Sequence, residues 1–296
     1  MISFEQLTHW RPTRPTYGVI GYPIKHSLSP IMQQAAMHAL GLDADYLAFE
    51  IPPDQLIPSL EHLEKIGVKG INLTLPHKTQ VLPWLHETSN EVKAIGAANT
   101  IKFDAGLRKG YNTDAPGFSR AIETVFKKKL RELRILLLGA GGAGRAIAFQ
   151  AISEKCQKLV IVNRTIEKAE QLIKELSSSA STFKNSNVTY LTFSSSDQLT
   201  KELANSDLIV NTTSLGLREN DPSLIPRDWF QPNHLLFDTI YQPSVTSLMR
   251  EAQSAGAQTA NGLFMLLYQG ALAFEIWFSQ PAPIDVMKQA LFQTQI

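Results

Sequence analysis

Cysteine is nearly absent from this chain of 296 residues: Cys156 stands alone, so no internal disulfide can form and a disulfide-stapled secreted scaffold is excluded. Long apolar runs are missing as well. The densest, Leu263 to Phe278, is interrupted by Tyr268, Gln269, Gly270 and Glu275 and falls short of the ~20 apolar residues that span a bilayer. Net charge is small, with 28 Lys and Arg against 27 Asp and Glu, leaving +1. Such a balance supplies no field for gathering nucleic acid or an anionic membrane, and small neutral or anionic ligands are the expected partners. The opening "MISFEQLTHWRPTRP" lacks the apolar core of a signal peptide. Together with the lone thiol, this points to a reducing, cytoplasmic location. No metal-ligand cluster stands out, so His77 is read as structural and no metal is expected.

What the chain does have is length and rhythm. It exceeds the commonest single-domain size, so two domains are expected. Strand-like and helix-like segments alternate throughout, the pattern of an α/β fold with a mostly parallel sheet. In the first part "YGVIGYP" and "DYLAFEI" read as strands. Pro30 to Leu40 reads as a helix closed by Gly41, and "DQLIPSLEHLEKIG" as a helix with Leu56, Leu60, Leu63 and Ile66 on one stripe. "ANTIKFDAGLRKGYN" reads as a hairpin turning at Asp104, Ala105 and Gly106. A second α/β rhythm follows, with strands at "RILLLGA", "KLVIVN", "VTYLTF", "DLIVNTT" and "LLFDTIY" and a polar loop at "SSSASTFKNSN". Leu263 to Ile296 is helical by pattern and is expected to pack back on the first domain.

"ILLLGAGGAGRAIAFQA" sets an apolar strand directly before Gly139, Gly141 and Gly144 and then a helix. Glycine at the first two positions permits a tight turn and close approach to a pyrophosphate, which rests on free N–H groups at the helix N-terminus, so that Gly139, Ala140, Gly141, Gly142 and Ala143 are the expected cofactor-binding loop. The third glycine permits close packing. The next strand ends in Asn163, Arg164 and Thr165, where a fold selective for NAD usually carries an acid for the ribose hydroxyls. With no carboxylate to repel it, a 2′-phosphate can be held by Arg164, aided by Asn163, Thr165 and Lys168. NADP is therefore expected over NAD. Thr165 also fits the role of helix N-cap.

"GINLTLPHKTQ" begins as a strand with Asn72 and Thr74 on one face and Ile71, Leu73 and Leu75 on the other. It then places Lys78 just past a proline, where a helical turn is expected to start and where the positive helix end disfavours a cation. "KHSLSPIM" carries Ser27 and Ser29 before a helix whose first position is expected at Pro30. Ser29 suits an N-cap; Ser27 is unnecessary for one. If the segment is extended, both hydroxyls face one side, a suitable receptor for a carboxylate.

In their order and spacing, "SLSP", "NLTLPHK", "GAANT", "NTDAPGF", "GAGGAG", "NRT" and "GLFMLLYQ" resemble the shikimate dehydrogenase family from about Tyr17 to about Gln269. The resemblance implies an α/β substrate domain over 1–113 and 263–296 and a Rossmann-like NADP domain over 114–262. It implies that Lys78 and Asp114, 36 residues apart, form the catalytic pair, and that Ser27 and Ser29 hold the substrate carboxylate. Thr74, Asn99, Tyr241 and Gln269, with Asn72, line the ring and its hydroxyls, while Thr239 and Gly262 approach the nicotinamide. The implied activity is reversible NADP-dependent reduction of 3-dehydroshikimate to shikimate, in aromatic amino-acid (chorismate) biosynthesis, by a monomer or homodimer. Two alternatives stay open: a quinate/shikimate enzyme that accepts NAD, and a noncatalytic NADP-binding regulator on the same scaffold. Lys78 and Asp114 also admit a purely structural salt bridge. Ala115 departs from the glycine more usual there and is expected to leave the backbone after Asp114 less free.

Overall fold

The computed structural model describes residues 1–179, 187–218 and 220–293. Of the expected polar loop at 177–187, residues 177–179 close a helix, Ile166–Ser179, and 180–186 lie outside the described residues, as do 294–296 at the end of the C-terminal helical stretch. The chain divides into two compact units, Met1–Asp114 with Leu266–Ile296, and Ala115–Met265. No helix among the described residues is long and apolar enough to cross a membrane.

The first unit is built on a sheet of seven strands: β1 (Ile2–Ser3), β2 (Thr16–Gly21), β3 (Asp45–Glu50), β4 (Gly70–Leu73), β5 (Glu87–Thr88), β6 (Thr100–Asp104) and β7 (Leu107–Tyr111), in the order β1-β3-β2-β4-β6-β7-β5. Strands β1 to β4 run parallel, and β6 turns back antiparallel to β4. The reversal belongs to the β6–β7 hairpin, whose two-residue turn has Ala105 at φ 50° and Gly106 at φ 80°. Both turn residues are left-handed, which matches the twist of the strands they join.

Leu56, Leu60 and Leu63 project from the helix Leu56–Lys65 into the core with Ile20, Phe49 and Ile71, while Ile66 is only half-buried. Each such leucine contributes about 1.5–3 kcal/mol. The C-terminal helix Leu263–Phe278 docks by Trp277, which packs on Gly70 and donates from Nε1 to the Ile101 carbonyl at 2.9 Å. A side chain at Gly70 would occupy the space of the indole. The next helix, Ile284–Gln293, packs on Ser29–Ala39.

The second unit carries β8 (Arg134–Leu138), β9 (Lys158–Val162), β10 (Val188–Leu191), β11 (Leu208–Asn211), β12 (Leu235–Asp238) and β13 (Gln258–Ala260), all parallel, ordered β10-β9-β8-β11-β12-β13. Renumbered from β8 this is 3-2-1-4-5-6, the doubly wound order of dinucleotide-binding folds. Its central strands are apolar and buried on both faces, as helix-covered parallel strands must be. Strand β13 carries no apolar signature and was not expected from the sequence. The chain order reverses between β8 and β11, and ligands of such sheets bind beyond the carboxyl ends at that point.

Candidate active site

Strand β4 stops at Leu73, and residues 75–81 are a succession of turns before a 3-10 turn at Leu82–Trp84. The helical start expected at Lys78 does not form. Pro76 and Pro83 each lack an N–H and restrict the residue before them, which leaves too short a run for a helix. No helix end therefore opposes the Lys78 charge. The alternation also ends with the strand: Ile71 and Leu73 are buried, but Leu75 is 58 % exposed. His77 is buried beneath the turn with Nε2 2.9 Å from the Ile51 carbonyl, and burial pushes its pKa down.

Lys78 Nζ donates to Asp114 Oδ2 at 2.6 Å, with the lysine and aspartate side chains 15 % and 5 % exposed. The other oxygen, Oδ1, accepts from Asn99 Nδ2 at 2.9 Å. Asn99 cannot be turned the other way, because its Oδ1 receives the Thr113 backbone N–H at 2.8 Å and the Thr100 hydroxyl at 3.1 Å. Gln269 Oε1 faces the same Asn99 amide at 3.4 Å. The hairpin makes this possible, since Asn99 directly precedes β6 and Thr113–Asp114 come one residue after the end of β7. Lys78 is held by its own carbonyl, which accepts the Ala98 N–H at 2.8 Å. Asp114 begins the helix Asp114–Phe126, where a carboxylate is favoured by the helix field. Ala115 lies inside that helix with no left-handed φ, so the backbone freedom of glycine is not required there.

The other expected substrate residues differ in how they are held. The helix carrying Ser29 begins at that residue, with Leu28 as its cap in a helical conformation and Pro30 one position later than expected. Ser29 is thus not the N-cap. Ser27 Oγ instead accepts the Ser29 backbone N–H at 3.3 Å, so the segment is turned rather than extended. Asn72 is buried and committed to protein partners: Oδ1 accepts from Tyr46 at 2.7 Å, and Nδ2 donates to Thr100 Oγ1 and the Asn99 carbonyl. Thr74 is half-buried beyond the end of β4. Gln269 is braced by its own helix through Nε2 to the Leu266 carbonyl, 2.9 Å. Thr100, Thr113 and Tyr46 complete this network without having been singled out in the sequence. Thr100 and Thr113 each follow an asparagine, in "ANT" and "YNT", and that repeated pair is the signal available for them.

In the second unit the glycine loop has the geometry that a pyrophosphate needs. Gly139 has φ +105°, and a side chain at Gly144 would collide with the Gly139 carbonyl. Gly141 caps the helix Gly142–Ser153 and has nothing within 4 Å of where a Cβ would stand. The cap is thus uncrowded at Gly141, and the first-turn N–H groups, which a helix leaves without intrahelical partners, make a cradle that fits an anion. Asn163 Oδ1 accepts the Ala140 N–H at 3.2 Å while its Nδ2 donates to the Thr165 carbonyl at 2.7 Å, tying the loop to the segment that carries Arg164. Arg164, Thr165 and Lys168 are exposed. Gly262 packs so closely on Thr239 that any side chain would strike the Thr239 carbonyl. Tyr241 is half-buried after β12 in this unit.

Known proteins are similar to this chain in sequence and fold. The family profile "Shikimate dehydrogenase substrate binding domain" matches residues 19–101, "Shikimate / quinate 5-dehydrogenase" matches 121–217, and "Shikimate 5'-dehydrogenase C-terminal domain" matches 262–292. A protein of Methanopyrus kandleri named shikimate dehydrogenase (NADP(+)) is 39 % identical over 280 residues, 93 % of this chain and 94 % of the relative. The crystal structure of shikimate dehydrogenase from Aquifex aeolicus superposes with a TM-score of 0.84 at 38 % identity, covering 95 % of this chain and 99 % of that one. Shikimate 5-dehydrogenase of Thermus thermophilus, solved with NADP(H) and shikimate, gives 0.82 at 34 % identity, covering 94 % and 99 %. With likeness of this degree running over nearly its whole length, the chain belongs to the shikimate dehydrogenase family.

Proposed function

We propose that the chain reversibly reduces 3-dehydroshikimate to shikimate with NADPH, its first unit holding the substrate and its second the cofactor. The observation that carries this reading is the Lys78–Asp114 pair, nearly buried and oriented by Asn99. Bound NADPH supplies a hydride to the carbonyl carbon, and the charge left on oxygen must be met by a proton. Lys78 Nζ holds that proton and takes it back in the reverse oxidation. Asp114 keeps the ammonium aimed and accepts from the same substrate hydroxyl. Ser27, whose oxygen already accepts a backbone N–H, retains its own hydrogen to donate to the substrate carboxylate, with Ser29 beside it. Asn99 and Gln269 present amides to the ring hydroxyls, Thr74 adds a hydroxyl, and Asn72 acts by fixing Asn99.

For the cofactor, the open face at Gly141 and the first-turn N–H groups suit the pyrophosphate. Arg164, with Thr165 and Lys168, suits the 2′-phosphate. The pathway assigned is aromatic amino-acid biosynthesis, and the location the cytoplasm. The test is NADPH formation from shikimate, with quinate and NAD as alternatives. Turnover of shikimate with NADP well above the other three combinations is expected. Preference for quinate or NAD would move the chain to the relaxed-specificity reading, and failure to turn over any pair would leave a noncatalytic binder.

A further inference from the structure

Two buried side chains of the second unit tie together the loops at the carboxyl ends of β11 and β12. Asp238, fully buried, receives three neutral donors: Asn211 Nδ2 and the Ile240 N–H on Oδ1, both at 3.0 Å, and the Thr246 hydroxyl on Oδ2 at 2.7 Å. Asn211, also fully buried, uses its Oδ1 to accept the Thr213 N–H at 3.0 Å and the Thr213 hydroxyl at 2.8 Å, and its Nδ2 further donates to the Leu215 carbonyl. The Asn211 backbone carbonyl accepts both the N–H and the hydroxyl of Thr239. Ile240 in turn accepts the Gly262 N–H at 3.1 Å. A continuous set of bonds thus runs from one carboxylate to the loop after β11, to Thr239 and to Gly262. Thr246 extends it by capping the helix Ser247–Ser254. Burying a carboxylate away from cations is costly unless every donor is well placed, and none of the acid–base chemistry proposed above uses it.

Resting on the NADP reading above and on the placement of Thr239 and Gly262 at the nicotinamide end that the family resemblance implies, we propose that Asp238 and Asn211 are positioning residues for the nicotinamide half of NADP. They set Thr239 and Gly262 without touching the adenine half, which is held by the glycine loop and Arg164 on the far side of β8. The cofactor's two halves are therefore held by independent parts of the sheet edge.

The test uses equilibrium binding to the full chain. NADP and its adenine-half fragment, 2′-phospho-ADP-ribose, are titrated against wild type, Asp238→Asn and Thr213→Val. Asp238→Asn puts an amide N–H against the donors it must accept from, and is expected to weaken NADP about tenfold or more while leaving the fragment within about twofold. Thr213→Val removes a single hydroxyl from a half-buried loop position and is expected to act in the same direction by about threefold. If Asp238→Asn does not fold, Thr213→Val decides. Equal weakening of both ligands, or of neither, overturns the inference. A wild-type protein that binds neither ligand sinks the cofactor assignment itself, and the inference with it.

Discussion

Replacing Lys78 by methionine keeps most of the side-chain volume and removes the charge. Two effects follow from the geometry, and they differ in size. The carboxylate of Asp114 is 5 % exposed and loses a partner at 2.6 Å, keeping the Asn99 amide on its other oxygen. Breaking a buried ion pair by deleting one member costs about 3–5 kcal/mol. The remaining Asn99 bond and the lysine's partial exposure bring the expected cost to about 2–3 kcal/mol, a fall in unfolding midpoint on the order of 4–12 °C for a domain of this size. Turnover is expected to fall by about 10²–10⁴, the usual worth of one acid–base group, or roughly 3–5.5 kcal/mol of barrier. Steady-state oxidation of shikimate measures the second effect, denaturant unfolding the first, and NADP titration checks that cofactor binding persists. Asp114→Asn should lower turnover too, and the double variant should lose less than the sum because the pair acts as a unit. A Lys78→Met enzyme that is less stable yet turns over within about threefold of wild type would refute the catalytic assignment and return the pair to a structural salt bridge.

Arg164→Ala should weaken NADP more than NAD by about ten- to a hundredfold, the worth of a charged hydrogen bond; equal weakening in parallel titrations would remove the 2′-phosphate contact. Gly262→Ala drives a methyl into the Thr239 carbonyl and should cost about 1–3 kcal/mol in thermal unfolding, whereas Gly141→Ala faces open space and should leave the free protein's midpoint nearly unchanged while weakening NADP. The reverse pattern would contradict the loop geometry. Burial pushes the His234 pKa below its ordinary 6.5, the nearby Asp207 opposing, so the unfolded chain takes up that proton first as pH falls. Stability should therefore decline below about pH 6.5, by at most about 1.4 kcal/mol per pH unit from this group. His234→Asn retains an acceptor for the Gln231 N–H and should flatten the midpoint between pH 7 and 5; His77 titrates in the same direction and remains. An unchanged slope would exclude His234 as a source.

The parts of this molecule that could be read in advance are those where one residue type alone satisfies the backbone. Gly139 at positive φ, Gly144 under a carbonyl and Gly106 in the hairpin turn are of this kind. So is the leucine stripe of Leu56–Lys65, because its period is written in the residues themselves. Part of what escaped depended on partners distant in sequence, and part on near neighbours acting in combination. Whether Asn72 faces a ligand or the protein is decided by Tyr46 and Thr100, neither of which its own strand announces. The turn around Lys78 reflects two prolines acting together, and the start of the Ser29 helix depends on Ser27 taking up the Ser29 N–H. Strand β13, three residues at a sheet edge of which only Ala260 is apolar, offers no periodicity to detect.

The β6–β7 hairpin has an open end and a closed end, and only the open end bears on chemistry. Thr100 pairs with Tyr111 and Asp104 with Leu107, so Asn99 and Asp114 flank the mouth while Ala105–Gly106 forms the tip four rungs away. Residues inserted at the tip in pairs add rungs without changing which faces the existing side chains occupy or how far apart the mouth residues stand. The tip is thus a graftable position: a tag, a fluorophore attachment site or a foreign loop placed there leaves the Lys78–Asp114–Asn99 geometry unaltered. A single-residue slip at the mouth, by contrast, carries Asn99 to the opposite face and takes the aspartate's second partner with it.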